Sequence, residues 1–247
     1  MGYIIDGDGM KTIKRFLGNL ILTIILFALI AVCVLLGIGY VNYKQTIAIA
    51  PISETVSKIM EQDNYVTYEE LSPYLINATI AIEDRNFFEH TGVDYKAITR
   101  SFISNLTTGE IVSGGSTITQ QVIKNLYFDF DYSFLRKVSE IFFAYDLESQ
   151  YSKEEILSLY VNIINYGDNH MGIYEASYGY FNKGPNELGL DEASLIAGIP
   201  QSPSNYQLSN HLKEAKLKQK RVLKAMIECK MLSKEEKLYV YDLYDVD

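Results

Sequence analysis

The chain has 247 residues and a formal net charge of −9, with 22 Lys and Arg against 31 Asp and Glu. That balance argues against general nucleic-acid binding, which depends on basic residues neutralising phosphates, and against a broad pull toward anionic lipid. Its two cysteines, Cys33 and Cys229, make neither a disulfide framework nor a metal site.

Phe16 to Gly39 contains no charged residue. A helix of that length spans about 36 Å at ~1.5 Å per residue, enough to cross a hydrocarbon core of about 30 Å. A cleaved signal peptide would carry a shorter apolar region of about 7–15 residues ending in a small-residue site, so a permanent anchor is expected. Lys11, Lys14 and Arg15 precede the span against Asp6 and Asp8, which predicts a cytoplasmic N-terminus and an outward-facing domain; Lys44 on the far flank makes the bias modest. The expected organisation is a tail over 1–15, a transmembrane helix over 16–39, a connecting segment over 40–66 and a single domain over 67–247. No repeat or Pro-, Gly- or Ser-rich linker divides that domain.

Ile52, Val56, Ile59 and Met60 recur near helical spacing and predict a connecting helix over 52–61. Thr67 and Glu70 resemble a capping box ahead of a helix through Leu75, Ile76 and Ile80 toward Phe88, with Pro73 as an alternative start. On such a helix Glu83, Phe87 and His90 share one face and Asp84 points elsewhere, with Gly92 as a natural stop. Gly114 and Gly115 lead through Ser116 into a helix capped by Thr117 and Gln120. Thr117, Gln121 and Lys124 line one side of it, and Ile118, Val122 and Leu126 the core side. A third helix is expected over 136–148 with Val138, Ile141, Phe142 and Tyr145 as its apolar stripe. A fourth, capped by Ser152 and Glu155, buries Ile156, Leu157, Tyr160, Val161 and Ile164. A polar loop over 165–172, a short helix over 191–199 stopped at Pro200 and an amphipathic helix over 211–231 complete a mainly α fold.

Two acids, Glu83 and Glu140, and three cations, Lys124, Arg136 and Lys137, lie on different helices. If they converge, the carboxylates suit acid–base work on sugars, and the cations suit a departing diphosphate, with Arg clamping oxygens and Lys acting as a point charge. Spacing alone leaves the plainer alternatives open. Glu83 can be a solvated or capping residue, Glu140 an ordinary surface pair with Arg136 or Lys137, His90 a structural histidine and the Gly114–Gly115 pair a simple turn.

Taken in order, five stretches resemble the peptidoglycan glycosyltransferases of family 51, over about residues 70 to 230. They are 83–92 (EDRNFFEHTG), 114–121 (GGSTITQQ) with Lys124 and Asn125, 136–140 (RKVSE), 156–162 (ILSLYVN) with Gly167 and Gly172, and 190–195 (LDEASL). The match looks most like the monofunctional biosynthetic form, with one anchor and no penicillin-binding domain. The resemblance implies a lysozyme-like helical domain over 67–247 with a small membrane-dipping lobe over 94–112, where Ile98, Phe102, Ile103, Leu106, Ile111 and Val112 supply apolar surface. It implies polymerisation of lipid II into β-1,4-linked glycan strands with inversion and release of polyprenyl diphosphate, at the outer face of the cell membrane. By the same resemblance Glu83 is the general base and Glu140 the second acid. Lys124, Arg136 and Lys137 face the diphosphate, Ser116, Thr117, Gln120, Gln121 and Asn125 form the cleft wall, and Asp84, Phe87 and His90 belong to the first motif beside the substrate. The partners implied are lipid II, the growing strand, the bilayer and other cell-wall synthesis proteins, with no nucleic acid. No cofactor is expected to be tightly bound; a divalent cation, Mg or Mn, would arrive with the substrate diphosphate.

Two departures stand out. Tyr132 occupies the place of a usual Arg four residues before the Arg136–Lys137 pair, and Ser158 replaces a Glu common in the fourth motif. The rivals are a glycan-cleaving enzyme, which needs carboxyls but no diphosphate cations, and a non-catalytic scaffold.

Overall fold

The computed structural model describes residues 7–108, 114–128, 134–244 and 246. Ile111, Val112, Tyr132 and the side chain of Phe102 lie outside the described residues. Helix α1 (Gly7–Ile49) is 43 residues long, about 65 Å. Between Phe16 and Ile38 its large apolar side chains are exposed on every side, the pattern of a helix whose solvent is lipid. The helix does not stop at the expected boundary near Gly39. It continues for ten residues and becomes part of the domain, so the first part of the expected connecting segment is rigid helix. Tyr43 is buried and donates to Asp146 Oδ2 at 2.8 Å, and Asn42 Nδ2 donates to Ser139 Oγ at 3.1 Å. Gly39 permits the approach, because a Cβ there would lie 2.6 Å from Val138 Cγ1.

The remaining helices are α2 (Ile52–Met60), α3 (Pro73–Glu83), α4 (Tyr95–Thr108), α5 (Ile118–Tyr127), α6 (Phe134–Gln150), α7 (Lys153–Ile163), α8 (Ile173–Phe181), α9 (Leu190–Ile196), α10 (Pro203–Tyr206), α11 (Leu212–Glu228) and α12 (Lys234–Tyr244). The fold is mainly α; among the described residues the β pairing is an isolated bridge between Asn165 and Met171. One core cluster joins α5, α6 and α7 through Val122, Ile123, Phe143, Leu147, Leu157 and Tyr160. A second joins α3 to α11 and α12 through Ala78, Ala81, Val222, Leu223, Met226 and Val240. Helix α3 serves both, since Leu75 and Ile80 belong to the first. Its apolar residues on all sides reflect that central position.

Local chemistry sets the ends of these helices. Ser72 caps α3 by accepting from Tyr74 N–H at 3.2 Å, with Pro73 in the first turn; the Thr67–Glu70 box caps only a single 3₁₀ turn, Tyr68–Glu70. The Thr117–Gln120 and Ser152–Glu155 boxes form as expected. In α6 the buried apolar residues are Val138, Phe143, Ala144 and Leu147, whereas Tyr145 is 40 % exposed. The buried stripe is rotated from the expected one because Phe143 and Leu147 pack into the core with α5 and α7, while the half-buried Phe142 lies against Tyr40 and Tyr43 of α1.

The expected continuation of α3 to Phe88 does not occur. The helix ends at Glu83, and Asp84 leaves helical geometry at φ −156, ψ 80. The cause is α5, whose first N–H, on Ile118, donates to Asp84 Oδ2 at 3.0 Å. A free helix N–H and the positive end of its dipole draw the carboxylate away. Glu83, Phe87 and His90 therefore do not share a helix face. Gly92, at φ +92, closes this turn, and a Cβ there would meet the Ala144 carbonyl oxygen at 2.9 Å. Gly92→Ala is expected to cost about 1–3 kcal/mol, read as a lowered midpoint in thermal unfolding. An unchanged midpoint would mean the turn accommodates a side chain freely.

Candidate active site

Glu83 sits on the last turn of α3, at the junction of two chambers. One, of about 430 Å³, is lined by Glu83, Asp84, Arg85, Asp94, Arg100, Ser101, Ser104 and residues 114–117. The other, of about 520 Å³, is lined by Glu83, Ser116, Gln120, Gln121, Lys124, Arg136, Lys137, Glu140, Gln201, Lys218 and Arg221. Ile82, Glu83, Gly114 and Ser116 belong to both, so the two form one groove with a carboxylate between them.

Glu83 Oε2 accepts from Gln121 Nε2 at 2.7 Å. Burial pushes the Glu83 carboxyl above its ordinary value and Asp84 adds to the rise, while the Gln121 hydrogen bond, Lys218 and Lys124 oppose it. Part of the side chain still opens to the groove. An acid that is desolvated yet reachable is suited to taking up a proton from a substrate hydroxyl.

Glu140 is 1 % exposed and gathers two cations, Lys137 Nζ at 2.6 Å and Arg136 Nε at 3.2 Å. These are neighbours on α6 at i−3 and i−4. Lys137 also donates to Ser116 Oγ at 2.8 Å, which ties α6 to the glycine turn before α5. The result is a fixed patch of positive charge in the second chamber, completed by Lys124, Lys218 and Arg221.

Of the residues expected at the site, Glu83, Glu140, Ser116, Gln120, Gln121, Lys124, Arg136 and Lys137 line the cation-rich chamber, and Asp84 and Thr117 the other. Thr117 and Gln120 are engaged in their own cap, and Thr117 Oγ1 also donates to the Gly92 carbonyl at 2.6 Å. Phe87, His90 and Asn125 line neither chamber. His90 Nε2 donates to Asp84 Oδ2 at 2.8 Å, and its Nδ1 accepts from Gly92 N–H at 3.2 Å, which fixes the ring tautomer. Behind it Lys153 Nζ donates to Glu148 at 2.6 Å and lies 4.6 Å from the centre of the buried Phe87 ring. These groups hold Asp84, and through it the end of α3.

Lys218 joins the site without having been expected there. It is 4 % exposed, donates to Gln201 Oε1 and faces Glu83 across the groove. Burial draws its ammonium below the ordinary lysine value and Arg221 acts in the same direction, with Glu83 opposing. The sequence carries a signal for it: Lys218 lies in the stripe Ala215, Val222 and Ala225, all buried, so it is a cation on the core side of an amphipathic helix. Among the described residues no three His, Cys, Asp or Glu side chains converge on a metal position.

A family model described as Transglycosylase matches residues 51–227. The chain is 42% identical over 163 residues to penicillin-binding protein 1A of Neisseria gonorrhoeae, covering 66% of this chain and 20% of that protein. It is 40% identical over 176 residues to penicillin-binding protein 2D of Bacillus subtilis strain 168, covering 71% of this chain and 26% of that protein. The chain thus spans about a fifth to a quarter of the length of these relatives. Because the matched stretch takes in well over half of its residues, the chain belongs to the transglycosylase family, the family 51 glycosyltransferases whose five motifs it carries in order.

Proposed function

We propose that the protein is a membrane-anchored peptidoglycan glycosyltransferase that polymerises lipid II into β-1,4-linked glycan with inversion. The observation that carries this reading is the placement of Glu83, a desolvated acid, between a cation-rich chamber and a second chamber of similar size. A polymerase needs both halves: one for the strand whose diphosphate departs, one for the incoming unit whose hydroxyl attacks. A glycan-cleaving enzyme has no use for five cations beside its acid.

In this mechanism Glu83 takes the proton from the acceptor's 4-hydroxyl as that oxygen bonds to the anomeric carbon of the growing strand. The bond from that carbon to the diphosphate oxygen breaks on the opposite face, which inverts the centre. Negative charge then collects on the polyprenyl diphosphate, where Arg136, Lys137, Lys124 and Lys218 stabilise it. Glu140 holds Arg136 and Lys137 in place. Lys218 supplies positive charge beyond the trio read from the motifs, which offsets the Arg replaced by Tyr132. Any divalent cation would come with the diphosphate oxygens of the substrate, held against the same chamber.

The membrane reading rests on two surfaces. Helix α1 would span the bilayer with Lys11, Lys14 and Arg15 on the cytoplasmic side. Helix α4 exposes Tyr95, Ile98, Ile103 and Leu106, an apolar face suited to the lipid boundary beside the groove. The test is incubation of the full chain with labelled lipid II and, separately, with finished glycan. Polymer from the first and no change in the second is the expected result; cleavage of the glycan without polymer formation would overturn the assignment.

A further inference from the structure

Helix α11 carries Lys213, Lys216, Lys218, Lys220, Arg221 and Lys224 against Glu214 and Glu228, a balance of +4 in a chain of net −9. Glu228 is neutralised by Arg85 at 2.7 Å. Lys218 faces the groove, and the outer face lies beside it. There Lys213 and Lys216 are exposed and Lys220 half-buried, with Leu212 46% and Leu217 55% exposed among them. These five residues line a shallow pocket of about 500 Å³. Two leucines set among lysines, whose stems lie along apolar surface while their ammoniums reach outward, are the makings of an interfacial helix.

The position of this face agrees with its chemistry. Gly39, where the expected membrane span ends, packs on Val138, so the first turns of α6 lie at the level where α1 would leave the hydrocarbon. Arg136 and Lys137 are on those turns, and Arg221 lines the same chamber as they do. Leu217 precedes Arg221 by four residues, one turn along the same side of α11. We infer that the outer face of α11 docks on anionic lipid headgroups, a second membrane contact separate from the apolar face of α4. The overall acidity of the chain does not oppose this, because charges beyond about 8 Å are screened at physiological salt. The inference rests on α1 spanning the bilayer, as proposed above.

The test uses the full chain in nanodiscs of phosphatidylcholine with or without phosphatidylglycerol. A bimane label is placed by Leu217→Cys in a Cys33→Ala, Cys229→Ser background, and quenching by brominated lipid is read. Quenching is expected with phosphatidylglycerol, several-fold weaker without it, and lost near 1 M salt, where the screening length falls to about 3 Å. Changing Lys213, Lys216 and Lys220 together to Gln should lower the ratio of docked to undocked states by about fivefold per lysine, on the order of 10²-fold in all. The same three positions changed to Arg should retain docking. Equal quenching in both lipid mixtures, or none in either, overturns the proposal. A label on native Cys33 separates the two readings. If it is quenched in both mixtures while position 217 is not, the span holds and the α11 contact is rejected. If Cys33 itself escapes quenching, the span fails and the docking with it.

Discussion

Glu83→Gln is expected to lower the turnover of lipid II by roughly 10²–10⁴-fold, the usual contribution of a positioned proton acceptor, with little change in KM. Gln keeps the size of the side chain and can still meet Gln121, which lies 2.7 Å from Glu83 Oε2, but it cannot accept the hydroxyl proton. The wild-type pH profile carries a second signature. A base works only when ionised, so activity falls as pH drops through its pKa. Burial raises the pKa of Glu83, which moves the acid limb above the ordinary Glu value of about 4.3. Lys218 acts from the other side. In the proposed reaction it stabilises the leaving diphosphate only while protonated, and burial lowers its pKa, so the alkaline limb is expected to move below the ordinary lysine value of about 10.4. The two shifts narrow the active range from both ends. Lys218→Arg, which stays charged, should remove the alkaline inward shift while leaving the acid limb in place. An acid limb at or below the ordinary Glu value would contradict the role given to Glu83.

How much of this could be read in the sequence depended on how local the deciding forces were. The caps at Thr117 and Ser152 close between residues three apart, so both boxes were legible and both form. The buried stripe of α7 follows its own periodicity. The end of α3 was not legible, because Asp84 is drawn out of the helix by an N–H 34 residues further on. The same holds for the continuation of α1, which is stabilised by α6 through contacts such as Tyr43 with Asp146, 103 residues apart. Helix α8 lacks a side-chain cap: it starts at Gly172, with φ +82, so its beginning gave no polar signal. The order of the motifs allows the acids and cations to converge, but only the packing of α3, α5, α6 and α11 around one groove brings them together. Lys218 shows the cost of reading helices by periodicity alone: an amphipathic pattern hid one charge on the wrong side.

Removing Glu140 should have a different effect from removing Glu83, and the difference separates their roles. Glu140 is 1 % exposed and its carboxylate forms ion pairs with two cations of its own helix. Breaking a buried ion pair by removing one partner costs about 3–5 kcal/mol, because the other charge is left stranded. Glu140→Gln should fall at the low end, since the Lys137 side chain is 40% exposed and can regain water. The expected loss of about 3 kcal/mol corresponds to a fall of roughly 6–12 °C in the unfolding midpoint. In kinetics, freeing Arg136 and Lys137 from their fixed geometry weakens charge-assisted bonds to the diphosphate, worth about 1.5–3 kcal/mol each. The predicted result is a KM for lipid II raised by roughly 10–100-fold, with a smaller fall in kcat and an acid limb unchanged from wild type. If Glu140 instead delivered a proton to the leaving group, kcat would collapse at unchanged KM. The geometry favours the first outcome, because both Glu140 oxygens face cations of its own helix.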